Sequence, residues 1–130
     1  MVLPRDKAKM RIHVTVPRGK RAIANGRLVR KSKRANTTTW HWRADEPMVP
    51  YLAFFAAGKF AIQRGTTDGL PWLNAVSKQL TARQQSVSFG LLKRTADVDH
   101  WLAGELGPYP FSITGGLVTK LKPGFALENQ

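Results

Sequence analysis

The chain contains no cysteine. Disulfides, thiolate zinc sites and a cysteine nucleophile are therefore excluded. No apolar run approaches the ~18 residues that a membrane-spanning helix requires. The opening residues Met1-Val2-Leu3-Pro4-Arg5-Asp6 show no apolar stretch behind a basic start, so no secretory leader is visible. Together these absences lead to the expectation of a cytoplasmic protein. Acidic residues are scarce: 8 Asp and Glu stand against 21 Lys and Arg, for a formal charge of +13. The scarcity is uneven. Asp6 is the sole acid before residue 44, where thirteen Lys and Arg lie, and the remainder of the chain is close to neutral. Such asymmetry points toward a nucleic acid or an anionic surface as a partner.

What is present suits a folded protein. The 130 residues, 42% of them hydrophobic, suffice for one domain with a core or for parts of two. Met10, Ile12, Val14 and Val16 alternate with Arg11, His13 and Thr15, the period of a half-buried strand. Asn25-Gly26 reads as a type I′ turn joining Arg21–Ala24 to Arg27–Arg30 in a hairpin. Residues 31–36 are polar and read as a loop. From Thr37 to Arg43, Trp40 and Trp42 share one face of a strand, and Thr39, His41 and Arg43 the other. Val49 to Ala57 is apolar on both faces and is expected to be a strand that is covered on both sides or lies centrally in a sheet. Residues 64–69 are turn-rich and form the best internal boundary, with a further strand at Leu70 to Val76.

Helical signals then take over. Thr81-Ala82-Arg83-Gln84 fits a capping box. Val87, Leu91 and Leu92 are expected to face inward on the helix that follows. A second helix should begin at Thr95, with Val98, Trp101, Leu102 and Leu106 at helical spacing. Gly107-Pro108 should stop it.

Candidate chemistry is sparse. His13, His41 and His100 are far apart, and none belongs to a His-Glu-x-x-His pair. A surface or structural role is expected for each. The basic first part admits two readings: phosphate binding, with Trp40 and Trp42 as stacking platforms, or a solvated strand face. The second is preferred, because no recognised nucleic-acid motif accompanies the charge and the two tryptophans have core spacing. Gly115-Gly116 lacks the residues that make a phosphate cradle and reads as close backbone packing or a turn. Glu128 differs from the other acids in standing beside Phe125, Ala126 and Leu127. An anion on an apolar segment is costly unless it meets a cation.

Several segments, taken in order, resemble one enzyme family. They include Ile12-His13-Val14-Thr15-Val16-Pro17, Ala24-Asn25-Gly26-Arg27-Leu28-Val29 and Pro47-Met48-Val49-Pro50-Tyr51-Leu52-Ala53. They continue with Gly107-Pro108-Tyr109-Pro110-Phe111, Gly115-Gly116-Leu117-Val118 and the closing Ala126-Leu127-Glu128-Asn129. Together these are similar to zinc aminopeptidases of the gluzincin, membrane alanyl aminopeptidase family. The last segment resembles that family's Gly-Ala-Met-Glu-Asn motif, from which Phe125 and Leu127 depart.

The resemblance implies a mainly β fold with a two-helix insertion (α+β). Residues 1–65 would be the latter part of a β-sandwich-like N-terminal domain. Residues 66–130 would bring the small sheet and helices that open a thermolysin-like domain, stopping short of the zinc motif. It implies metal-assisted hydrolysis of the first peptide bond, with zinc polarising the carbonyl and activating water in the full-length relative. Glu128 would bind the α-amine of the peptide substrate, Ala126 and Leu127 would line its backbone path, and Asn129 would complete the motif. The chain alone would hold neither catalytic nor metal-binding residues and would be inactive, and its open strand edges would promote self-association. The alternative is a basic β-rich binding module for nucleic acid or an anionic surface.

Overall fold

The computed structural model describes residues 5–121. The strands are β1 (Ala8–Pro17), β2 (Arg21–Ala24), β3 (Arg27–Lys33), β4 (Thr37–Met48), β5 (Phe55–Gly58), β6 (Phe60–Thr67), β7 (Leu70–Ser77) and β8 (Thr114–Val118). Helices α1 (Ala82–Leu92) and α2 (Thr95–Leu106) separate β7 from β8. The expected class, mainly β with two helices, is the one observed. One compact unit runs to Lys59, and a second begins at Phe60.

The first unit is organised by β4. This strand pairs antiparallel with β1 on one side and β3 on the other, in the order β1-β4-β3. Its alternation decides the two faces. Trp40, Trp42 and Ala44 turn inward and are buried. Trp42 Nε1 donates a hydrogen bond to the carbonyl of Ala22, 3.1 Å away. The Trp40 ring lies between two cations, with Lys31 Nζ 5.2 Å and the Arg21 guanidinium 5.7 Å from its centroid. Both tryptophans are thus core residues, as their spacing suggests, and neither is a stacking platform. β2 pairs with β5 in a second, two-stranded sheet and adds Ala22, Ile23 and Ala24 to the same core.

Three expectations fail here for identifiable reasons. Asn25-Gly26 does not turn a hairpin: β2 pairs with β5 and β3 with β4. A type I′ turn needs positive φ at both central residues, and only Gly26, at +81°, has it. Asn25 is instead fully buried and works as a joint. Its Nδ2 donates to the Leu52 carbonyl at 3.3 Å, and its Oδ1 accepts from the Phe54 amide at 2.8 Å. Gly26 presses so closely on the Arg43 carbonyl that a Cβ there would collide with it. Second, residues 31–36 are not all loop. β3 continues to Lys33, and the Arg34 amide closes the hairpin on the Thr37 carbonyl at 2.9 Å. Third, Val49 to Ala57 is not one strand. Pro50 opens a single 3₁₀ turn, Pro50–Leu52, and β5 starts only at Phe55. Proline supplies no ladder donor and is placed where helical turns begin.

In the second unit the order is β6-β7-β8, with β8 parallel to β7. β6 and β7 form a hairpin from Phe60↔Ser77 to Thr67↔Leu70. Its two-residue turn is Asp68-Gly69, both at positive φ (50° and 79°). The I′ chemistry expected at Asn25-Gly26 is therefore realised here, within a stretch that reads as a break in the sequence. The parallel step from β7 to β8 needs a crossover, which the helices supply. The capping box of α1 is formed: the Gln84 amide donates to Thr81 Oγ1 at 3.2 Å, and the Thr81 amide donates to Gln84 Oε1 at 3.0 Å.

Of the apolar residues expected to face inward on α1, Leu92 does, and the rest of the helical stripes turn out to be exposed. Val87 and Leu91 on α1 are exposed, as are Val98, Trp101, Leu102 and Leu106 on α2. The partly buried positions are Gln85, Ser88, Phe89 and Leu92 on α1, and Thr95, Ala96, Asp99 and Ala103 on α2. The cause is steric. Gly116 of β8 leaves room for one apolar side chain, Leu92, whose Cδ2 occupies the position a Cβ would take. Apart from Phe89, the other partly buried helix positions are small or polar.

Replacing Asn25 by Ala should lower stability by about 1–3 kcal/mol, because it removes the acceptor of the half-buried Phe54 amide. The urea midpoint should fall by about 1–2 M. A loss under about 0.5 kcal/mol would mean that Asn25 is only a turn residue.

Candidate functional site

The residues expected to bind substrate, Ala126, Leu127, Glu128 and Asn129, lie outside the described residues. The structure does describe what leads to them. β8 ends at Val118, on the edge of its sheet. It is held on β7 by two devices. The buried Asn74 side chain accepts a hydrogen bond from the Gly116 amide through Oδ1 at 3.0 Å. Gly115, at φ +151°, lies so close to the Leu73 carbonyl that any side chain would strike it. The double glycine is thus close backbone packing within a strand, and Thr114 beside it is buried. Asn74 carries no motif, and its role becomes visible only once β7 and β8 are paired in parallel.

A cleft of about 320 Å³ opens in the second unit between the β6–β7 hairpin tip, α2 and Tyr109. Asp68 and His100 face each other across it, with Oδ2 and Nδ1 3.0 Å apart. Asp99 also contributes to its wall, and its buried Oδ2 has no hydrogen-bond partner among the described residues. Asp68 and His100 are both mostly exposed, so their attraction is screened and weak.

The first unit presents a more ordered array. Residues directly opposite on β1, β4 and β3 share the outward face and form three rows. Arg11, Arg43 and Arg27 make one, His13, His41 and Arg30 the next, and Thr15, Thr39 and Ser32 the third. The His13 and His41 rings meet edge to face, with centroids 4.4 Å apart. Ser32 Oγ lies 3.0 Å from His41 Nε2, and the Thr15 and Thr39 hydroxyls are 2.8 Å apart. Asp45 pairs with Arg43 at 2.9 Å and with Arg27 at 3.7 Å. Partial burial, and then the nearby Arg30 and His13, hold the His41 pKa below the ordinary histidine value. Parity along each strand indicates which residues face outward, but the juxtaposition of His13 with His41 needs the β1–β4 register.

Zinc needs three or four protein ligands drawn from Cys, His, Asp and Glu. Among the described residues no grouping of three or more such side chains could hold a metal ion. These residues do not fit a zinc centre. No helix among them is long and apolar enough to cross a membrane.

The fold is that of a class of peptidase structures. One is the M1 zinc metallopeptidase from Deinococcus radiodurans, with a TM-score of 0.77 and 21% identity over 92% of this chain and 28% of that one. A mutant two-domain M1 zinc metallopeptidase bound to L-arginine matches over the same shares at 0.78 and 21%. A mutant from Deinococcus radiodurans bound to a Tyr-Ser-Ala substrate matches at 0.75 and 20%, again over 92% and 28%. No family model matches the sequence, and no curated protein does. The chain spans 28% of the length of these structures, and within that span it has their fold.

His41 should titrate below the ordinary histidine pKa of 6.5. The folded state then binds fewer protons than the unfolded chain just below pH 6.5. This contribution to stability is full above that pH and declines as pH falls toward the folded pKa. Arg30→Gln should move the His41 pKa upward, as read from its ring Hε1 shift in an NMR titration. A pKa at or above the ordinary value in the unmodified chain would contradict this electrostatic picture.

Proposed function

We propose that this chain is part of a zinc-dependent aminopeptidase and supplies its anchor for the free amine of a peptide. The observation that carries the reading is the fold: 92% of the chain follows M1 zinc metallopeptidase structures. In this reading residues 1 to about 65 are the latter part of the N-terminal β-domain, and residues from about 66 to 130 open the thermolysin-like catalytic domain. Glu128 grips the substrate's ammonium group by charge-assisted hydrogen bonds, which are roughly twice as strong as neutral ones. Ala126 and Leu127 border the peptide backbone, and Asn129 closes the motif. Such a contact restricts cleavage to the first residue, because only that residue carries a free α-amine. Zinc, when present in the complete enzyme, supplies the polarised carbonyl and the activated water. The outward apolar residues of the helices support the same reading. Trp101 is 64% and Leu106 82% exposed, as on a surface meant to be covered by further protein. Uncovered, these faces and the open sheet edges favour self-association.

Two measurements test the proposal. The 130-residue chain, incubated with zinc and an aminoacyl-anilide, should give no turnover above buffer; chelator-sensitive turnover would refute its inactivity alone. The amine anchor is tested separately by NMR titration with Tyr-Ser-Ala. Shifts should concentrate on Glu128 and its neighbours, and should vanish both with the Nα-acetylated peptide and in Glu128→Gln. Equal shifts with the acetylated peptide would remove the amine-binding role.

A further inference from the structure

The outward face of the β1-β4-β3 sheet plays no part in anchoring a peptide amine; it carries Arg11, Arg27, Arg30 and Arg43, and it belongs to the more basic part of the chain. Residues 5–59 hold 14 of the 21 Lys and Arg but only three of the 8 Asp and Glu. We propose that this face binds duplex nucleic acid through its phosphates, without reading sequence.

The geometry favours that partner over other anions. Neighbouring strands lie about 4.8 Å apart, and successive outward residues about 6.8 Å apart. The three rows therefore form an ordered grid of donors rather than a flexible basic tail. Arg11, Arg27, Arg30 and Arg43 supply guanidinium forks suited to phosphate oxygens. Thr15 and Thr39, bonded to each other, and Ser32, bonded to His41, edge the grid with neutral hydroxyls of the kind that contact a nucleic-acid backbone. Among the described residues Asp45 is the carboxylate paired within these rows, and it engages Arg43 and Arg27. Arg11 and Arg30 are left to meet an external anion. The β3–β4 hairpin tip extends the positive surface with Arg34, and Arg18 is tied to it through the Ala35 carbonyl at 3.3 Å.

What the grid lacks decides among polyanions. Unpaired bases are held by stacking on aromatic rings. The tryptophans of this sheet face the other way and are 6% and 2% exposed. A protein interface draws its affinity from apolar or aromatic anchors at its centre, and the nine positions of the three rows hold no apolar side chain. A fluid layer of anionic headgroups attracts any polybasic patch and makes no use of ordered donor rows. A duplex presents phosphates at fixed spacing and hides its bases, which suits a grid that can contact only the backbone.

The test is fluorescence anisotropy of a mixed-sequence duplex of about 20 base pairs, titrated with the full chain between 50 and 200 mM salt. Affinity should fall steeply with salt, with log K against log[salt] sloping about −0.9 for each phosphate engaged. A second, unrelated duplex should bind within about twofold. Arg11→Gln with Arg30→Gln should weaken binding at least tenfold and flatten the slope by about two. Arg83→Gln with Lys120→Gln makes the same charge change in the second unit and should alter affinity less than about threefold. Amide shifts of the unmodified chain provide a readout independent of variant folding, and they should cluster on β1, β3 and β4. Equal losses in the two double variants would overturn the proposal, since net charge alone would then explain binding. So would tighter binding of a single strand, a phosphatidylserine vesicle or a poly-glutamate peptide, or no binding at the lowest salt.

Discussion

β4 is hydrogen-bonded along both edges, and almost everything distinctive about the first unit follows from that pairing. Its side chains must alternate, so burying Trp40, Trp42 and Ala44 obliges Thr39, His41 and Arg43 to face out. A slip of one residue would exchange the two sets, exposing both indoles and burying an imidazole and a guanidinium. Each indole hides on the order of 200 Å², worth roughly 5 kcal/mol in gross transfer free energy. The cost of the slip is therefore large against the 5–15 kcal/mol that typically separates folded from unfolded chains. The basic grid is held in place by the tryptophans behind it.

Both units solve a local problem in the same way, with a buried asparagine near a glycine. Asn25 lies where the chain leaves β2 for β3, and its amide satisfies two backbone groups of the segment before β5. Asn74 lies within β7 and reaches the Gly116 amide on β8. In each case a neighbouring glycine, Gly26 or Gly115, brings two backbones closer than a Cβ would allow. A buried polar side chain is tolerable only when its hydrogen bonds are made. These two are therefore specific joints, and they tie together segments that are distant in sequence.

Local patterns carried much of this into the sequence, and non-local ones did not. The alternation of β1 and β4, the capping box at Thr81 and the start of α2 at Thr95 depend on neighbours within a few residues, and they were readable. The partner of β2 was not, because Asn-Gly has the composition of a hairpin turn whether or not its flanking strands pair. The difference is made by Leu52 and Phe54, almost thirty residues away. The helix faces were misread for a related reason. Periodicity reveals a stripe, and sidedness depends on what the sheet can accept. Here Gly116 of the sheet makes room for Leu92. The residues expected to touch substrate, Glu128 among them, were legible only through resemblance to a family.

The two exposed surfaces pose different physical problems. Outward apolar residues on α1 and α2 leave hydrocarbon in water, a cost that only another apolar surface can remove. Cations on the sheet are well solvated and lose little by staying exposed; they gain by releasing the counterions of a polyanion. Apolar cover does nothing for a cation, and phosphates do nothing for exposed hydrocarbon. Salt separates the two directly. Rising ionic strength weakens phosphate contacts steeply and leaves apolar association intact or stronger. Association that persists in high salt therefore belongs to the helices, and association that disappears belongs to the sheet.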